Sequence, residues 1–169
     1  MIGRMDLTAE ISYPGATPDE AYALVVDPEF RAAVCEATRV LGYDVGIDAR
    51  DGSGASVRVD RTVPADVPDF VKKLVGQTLE VRQTEEWSEP DAQGRRTADV
   101  RVDVVGQPAT MAGVIVLEAT PDGCRQVITG QVKVSIPFIG GKIEPEIAKG
   151  IRAAIKAEQK TGREWLARG

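Results

Sequence analysis

Two periodicities divide the chain. From Met5 to Tyr13 the residues alternate: Met5, Leu7, Ala9, Ile11 and Tyr13 fall on one side, and Asp6, Thr8, Glu10 and Ser12 on the other. A period of two marks a strand with one buried face. The alternation returns at Tyr43–Ala49, Ala55–Val63, Leu79–Trp87, Val100–Val104 and Ile128–Ile136. Clusters of Gly, Pro, Asp and Ser separate these runs, among them Pro14-Gly15, Asp51-Gly52-Ser53-Gly54, Gly106-Gln107-Pro108 and Thr120–Gly123. Such clusters turn a chain. Met111–Leu117 is apolar on both faces, as in a strand covered on both sides or used as a pairing surface.

The second period is helical. Thr17, Pro18 and Glu20 form a start signal, with Thr as N-cap, Pro at the first position and Glu at the third. Ala21, Leu24 and Val25 supply its buried stripe. Asp27-Pro28 opens a second short helix, Glu29–Thr38, with Phe30, Val34 and Ala37 as its apolar edge. Between two strands, Pro64–Gly76 places Val67, Phe70, Val71, Leu74 and Val75 at helical spacing; it reads as a crossover helix or as a lid. The longest helical run is the last, Lys142–Ala167, about 39 Å at the usual rise. Ile143, Ile147, Ile151, Ile155 and Trp165 occupy one side and Lys149, Arg152, Lys156, Lys160 and Arg163 the other. Gly140 and Gly141 break the strand before it, and Pro145 is placed in its first turn, where a missing N–H costs nothing. The apolar side is interrupted by Glu158 and Gly162. Either the helix leaves the core there and Glu158 is solvated, or this part of the helix lines a cavity.

Composition narrows the function classes. The chain is one unit over 1–169, 43% hydrophobic and 28% charged, in the range of ordinary globular domains. Its net charge of −5 and lack of a basic cluster argue against nucleic acid as a partner. No apolar run approaches the ~20 residues of a membrane span, and MIGRMDLTAE lacks the apolar segment of a secretory signal. A cytoplasmic protein without stable membrane insertion is expected. Cys35 and Cys124 form no metal-like spacing, and free thiols suit a reducing compartment. There is no histidine, which removes the commonest general base and metal ligand. Neither a metal nor a cofactor is expected.

The order of elements is a strand, two small helices, six further strands with one helical interruption, and a long last helix. With the local runs TPDEAYALVVDPEFRAAV, TEEWSEPD and IPFIGGKIEPEIAKGI, it resembles the helix-grip fold of the START, polyketide cyclase/dehydrase and birch-pollen-allergen superfamily. The resemblance covers essentially the whole chain and is nearest an actinobacterial branch of unassigned function. It implies an α+β fold in which a seven-stranded antiparallel sheet wraps the C-terminal helix, with two small helices after strand 1 and an apolar cavity between sheet and helix. Members of the superfamily bind lipids, sterols or polyketides; some cyclise or dehydrate them, and others act as regulators.

Four polar residues stand on the apolar strand faces and the helix stripe: Arg61, Gln83, Glu85 and Glu158. Arg61 and Glu85 lie on successive strands, within reach of a pair across the sheet. Either they sit near wet strand ends, or they form a polar cluster inside an apolar cavity, the usual make-up of a ligand pocket. In the second case Val102, Val132, Ile151 and Ile155 are its apolar lining, joined by Val59 and Val81. Arg61 then suits a ligand carboxylate or phenolate, and Glu85 or Glu158 general acid–base work. Three functions remain open. One is binding or transport of a hydrophobic small molecule, a lipid, polyketide or aromatic. The second is a cyclase/dehydrase-type enzyme, whose catalytic residues the sequence does not name. The third is a protein-interaction module using Met111–Leu117.

Overall fold

The structure is a computed structural model, and it describes residues 4–169. Seven strands form a single antiparallel sheet: β1 (Met5–Pro14), β2 (Gly42–Ala49), β3 (Ala55–Pro64), β4 (Thr78–Trp87), β5 (Arg96–Val104), β6 (Ala109–Thr120) and β7 (Gly123–Val134). Their order is β1-β7-β6-β5-β4-β3-β2, so every strand from β2 to β7 pairs with its sequence neighbour and β1 closes on β7. Helices α1 (Pro18–Val25) and α2 (Pro28–Glu36) link β1 to β2, α3 (Asp69–Val75) links β3 to β4, and α4 (Gly140–Ala167) follows β7. The α+β arrangement expected from the order of elements is the one observed.

Local chemistry sets the ends of the small helices. Thr17 Oγ1 accepts from the Glu20 N–H at 3.1 Å, and Glu20 Oε1 accepts from the Thr17 N–H at 3.1 Å. This reciprocal capping box starts α1. Asp27 accepts from the Glu29 N–H at 2.9 Å and starts α2. The second helix stops at Glu36, two residues before the expected Thr38.

Strand register brings the alternating apolar residues into rows. Trp87, Ala98, Ile115 and Ile128 stand side by side across β4 to β7, and all four are buried. Each large side chain wholly removed from water contributes about 1.5–3 kcal/mol, so a register slip of one residue, which would turn the whole row outward, is strongly disfavoured.

Helix α4 lies along the inner face, chiefly against β1 and β7, and also meets α2. Its 28 residues make it about 42 Å long. Arg152 Nη1 donates to the Thr8 carbonyl at 2.7 Å, Arg163 Nε to the Ser12 carbonyl at 2.9 Å, and the Ser12 N–H to Gln159 Oε1 at 3.0 Å. The helix therefore grips the edge strand β1 through its polar side while its isoleucines face the sheet.

Four expectations need correction. The helix begins at Gly140, so Pro145 lies inside it rather than in its first turn; the carbonyl it leaves unpaired belongs to Gly141, which is exposed to water. The last strand ends at Val134, not Ile136, because the buried Glu144 carboxylate takes the Val134 N–H at 3.0 Å and Ile136 packs in a second cluster with Val71, Val104 and Ile143. The stripe on the inserted segment is split: Val67, Val71 and Val75 join that cluster, whereas Phe70 and Leu74 are exposed. Finally, β6 is buried on one face only. Met111, Ile115 and Leu117 point inward, and Ala112 and Val114 point to solvent.

Candidate functional site

Ile143 is buried at the start of α4. Ile147, Ile151 and Ile155 continue its line but are only half-buried, because the sheet curves away from them. The gap is a cavity of about 310 Å³. Ile147, Ile151, Ala154 and Ile155 form its helix wall, and Val81, Val100, Val102, Val104, Met111 and Ile128 its sheet wall. Thr38, Val40, Pro64 and Val67 border it where α2 and the β3–α3 connection approach each other. Arg39 and Asp66, both largely exposed, make an ion pair at 3.7 Å beside that border.

Polar groups cluster at one part of this wall, and their centre is a residue that the apolar pattern did not single out. Arg31, on α2, is 2% exposed. Its Nη2 donates to Glu85 Oε1 at 2.6 Å and its Nη1 to Glu85 Oε2 at 3.2 Å, a forked pair with a carboxylate that is also 2% exposed. Arg31 Nε donates to the Val25 carbonyl at 2.8 Å. Arg31 Nη1 also reaches Glu158 Oε1 at 3.4 Å. One guanidinium thus ties α2 to β4 and to α4.

The two carboxylates are treated very differently. Glu85 also accepts from Trp87 Nε1 at 2.8 Å and from Gln83 Nε2. Burial alone raises its pKa, but the Arg31 charge and these hydrogen bonds outweigh burial and hold it below the ordinary carboxylate range. Glu158 has one long contact with Arg31. Burial raises its pKa, the attraction of Arg31 offsets this only in part, and the Glu85 charge raises it further. Arg31 itself is held in its charged form: burial opposes the charge, and Glu85 and Glu158 together prevail. Glu85 is a fixed anion; Glu158, on the cavity wall, is the carboxyl free to hold or release a proton.

The site residues expected from sequence divide as follows. Arg61, Gln83, Glu85, Val102, Ile151, Ile155 and Glu158 all border the cavity, as does Val81. Val132 and Val59 do not; both are fully buried in the packed core, Val132 between Met5 and Met111 on the neighbouring strands. Arg61 does not pair with Glu85. Register sets Arg61 opposite Val81 and Glu85 opposite Val57, so Arg61 donates instead to Gln83 Oε1 at 3.0 Å, and Gln83 passes the contact on to Glu85. Glu158 is not out in solvent: its side chain is 13% exposed.

Gly162 has a reason other than the cavity. A Cβ there would stand 2.2 Å from the Tyr13 hydroxyl, so the absent side chain lets α4 close on the Tyr13 ring. The Tyr13 hydroxyl faces the Glu158 carbonyl at 3.5 Å. Trp165 packs edge-on against Phe30 with centroids 5.5 Å apart and fixes the far end of α4 to α2. Both cysteines are buried free thiols. Burial raises the Cys35 thiol despite nearby Arg61, and burial with Glu20 pushes Cys124 up to about 11, so neither is a ready nucleophile.

Arg31 left a trace in the sequence. It precedes Val34 by three residues and Cys35 by four, which puts it on their face of α2. A second missed residue is Gln126. Alternation along β7 sets it inward with Cys124 and Ile128, and it borders the cavity.

A sheet curled around one long helix, with an apolar cavity between them, defines a helix-grip protein. The fold is that of the START, polyketide cyclase/dehydrase and birch-pollen-allergen superfamily. The crystal structure of Ara h 8.0201 superposes with a TM-score of 0.57 at 14% identity, covering 95% of this chain and 98% of that one. Human STARD10 superposes with a TM-score of 0.58 at 12% identity, covering 99% of this chain and 67% of that one. At these identities the likeness is one of fold. The chain belongs to the DUF2505 family of proteins of unknown function, whose model matches residues 8–166. The uncharacterized protein Rv0481c of Mycobacterium tuberculosis is 32% identical over 136 residues, 79% of this chain and 75% of that protein. Among the described residues, no helix is long and apolar enough to cross a membrane.

Proposed function

We propose that this protein binds a small hydrophobic molecule in the cavity between β4–β7 and α4. The observation that carries this is the cavity itself, about 310 Å³ walled mainly by aliphatic side chains. Interiors normally pack without such gaps, and pockets of this kind, apolar with a few placed polar groups, are the usual form of a ligand site. The volume lies near the lower end of the ligand-pocket range of about 300–1,000 Å³. A ring system or a single short chain fits this better than a two-chain lipid.

Titration with the neutral fluorescent probe N-phenyl-naphthylamine tests the proposal. One probe binds per chain, and Ile155→Trp, which fills the cavity from the helix wall, weakens binding at least about tenfold while cooperative unfolding persists. Absence of binding to the wild type, or binding unchanged in Ile155→Trp, refutes it. One observation favours a second reading, the cyclase/dehydrase type: Glu158 is a carboxyl of raised pKa on the cavity wall, as a general acid–base group must be. Its mark is turnover of a β-dicarbonyl compound that Glu158→Gln abolishes without loss of probe binding.

A further inference from the structure

We propose that Gln126 recognises the ligand, and that the ligand is an apolar molecule carrying a neutral oxygen, a ketone or hydroxyl, which accepts a hydrogen bond from the Gln126 amide. This rests on the reading that the cavity binds a small hydrophobic molecule, and it names the chemistry that molecule must have.

Gln126 borders the cavity and is 3% exposed. Its Nε2 has no hydrogen-bond partner among the described residues. That sets it apart from the rest of the polar cluster. Arg31 and Gln83 both donate to Glu85, and Arg61 donates to Gln83. Two other buried nitrogens also lack partners, Arg96 Nε and Arg125 Nε, but neither residue borders the cavity. Their guanidinium groups are engaged elsewhere, Arg96 with the Ser53 and Ser88 carbonyls and Arg125 with Glu118. Among the described residues, Gln126 is the one cavity-bordering residue whose buried side-chain nitrogen has no partner.

A buried donor without a partner costs more than a made bond returns, so whatever fills the space beside Gln126 must offer it an acceptor. Nε2 is closed off from water, so it meets an acceptor in the cavity only when the amide turns about its last side-chain bond. A hydrocarbon in the cavity offers no acceptor for that turn, whereas a ketone or alcohol does. The neighbours decide between a neutral oxygen and an anion. Directly across from Gln126 stand Ile11 on β1 and Leu117 on β6, with Ile128 next inward on its own strand. The row ends on β5 at Arg96, opposite Leu117, but Arg96 does not border the cavity and donates to the Ser53 and Ser88 carbonyls, so it does not compensate an ion stripped of water beside Gln126. Arg31 is already committed to two carboxylates.

Isothermal titration with three probes of one shape tests this: methyl naphthyl ketone, isopropenylnaphthalene, in which a methylene replaces the carbonyl oxygen, and naphthoate. Wild-type protein binds the ketone about tenfold more tightly than the alkene and more tightly than naphthoate. In Gln126→Leu the preference for the ketone falls to about one, with the alkene bound at least as well as before. The unliganded Gln126→Leu variant melts no lower than the wild type, since it loses an unpaired group rather than a bond. Equal binding of ketone and alkene by the wild type overturns the role of Gln126 and leaves the cavity reading intact. Preference for naphthoate overturns the neutral-oxygen assignment in favour of an anion at Arg61. A lower melting temperature in Gln126→Leu shows that the amide serves the fold. If none of the three binds, the cavity reading falls and this inference falls with it.

Discussion

Glu85→Gln and Glu158→Gln remove one charge each from the same guanidinium, yet they should behave in opposite ways. Glu85 holds both Nη atoms of Arg31 at 2.6 and 3.2 Å. Removing its charge leaves a nearly fully buried cation whose remaining partners among the described residues are the Val25 carbonyl at 2.8 Å and one carboxylate, Glu158, at 3.4 Å. Breaking a buried ion pair costs about 3–5 kcal/mol, and the remaining carboxylate places the expected loss near the lower end, about 3 kcal/mol. For a chain of this size that lowers the melting temperature by about 6–12 °C. The pH dependence carries the sign. The Glu85 pKa is lowered on folding, so its contribution is fully present above the ordinary carboxylate range and fades as pH falls through the depressed value. The deficit of Glu85→Gln is therefore largest at neutral pH and shrinks in acid. The Glu158 pKa is raised on folding, so its contribution is present below the ordinary range and is lost as pH rises through the elevated value. Glu158→Gln should match the wild type at about pH 4 and equal or exceed its stability at about pH 8. The double variant should lose more than the sum of the two, because each carboxylate is the other's substitute partner for Arg31. Melting curves followed by circular dichroism across this range decide the matter. If Glu158→Gln is as damaging as Glu85→Gln at neutral pH, or the two variants share one pH trend, the division into a fixed anion and a free carboxyl is wrong.

Two glycines give further tests. Gly162→Ala drives a methyl group into the Tyr13 ring and should cost about 1–3 kcal/mol by overpacking, read as a lower denaturation midpoint with an unchanged slope. Gly130 is opposite Gly113 in the β6–β7 pair, and a Cβ there would stand 2.6 Å from the Ala112 carbonyl oxygen. Gly130→Ala should therefore lower thermal stability and leave probe affinity unchanged, and Gly130→Phe should fail to fold rather than plug the cavity.

Much of the fold was legible because each element obeys its own period. The β3 and β4 alternations place Arg61, Gln83, Glu85 and Trp87 on the inner face, and the isoleucine spacing of α4 faces the sheet. Element ends were less legible, since a side chain distant in sequence sets them: Glu144 takes the last N–H of β7, and no local pattern on β7 announces it. The partner of Glu85 was misread for a related reason. Successive strands suggested Arg61, but register places the two residues on different rows, and register is fixed by the whole sheet. The pairing of Arg31 with Glu85 and Glu158 spans 54 and 127 residues. Its trace was an arginine on the buried face of a short helix, together with two inward carboxylates requiring a cation.

The placement of charge bears on what the cavity accepts. Two cations, Arg31 and Arg61, stand with two carboxylates, Glu85 and Glu158, and hydrogen bonds or ion pairs link them in one chain through Gln83. When all four are ionised their charges cancel. A ligand carboxylate at Arg61 would face Glu85 and Glu158 through the same chain. A neutral ligand disturbs none of this. If Glu158 takes up a proton, the balance shifts to one net positive charge, and an anion becomes easier to accommodate. Affinity for naphthoate should then rise as pH falls into the range where Glu158 is protonated and the probe is still ionised, while affinity for the ketone stays flat. Glu158→Gln should remove that rise, because its side chain is neutral at every pH.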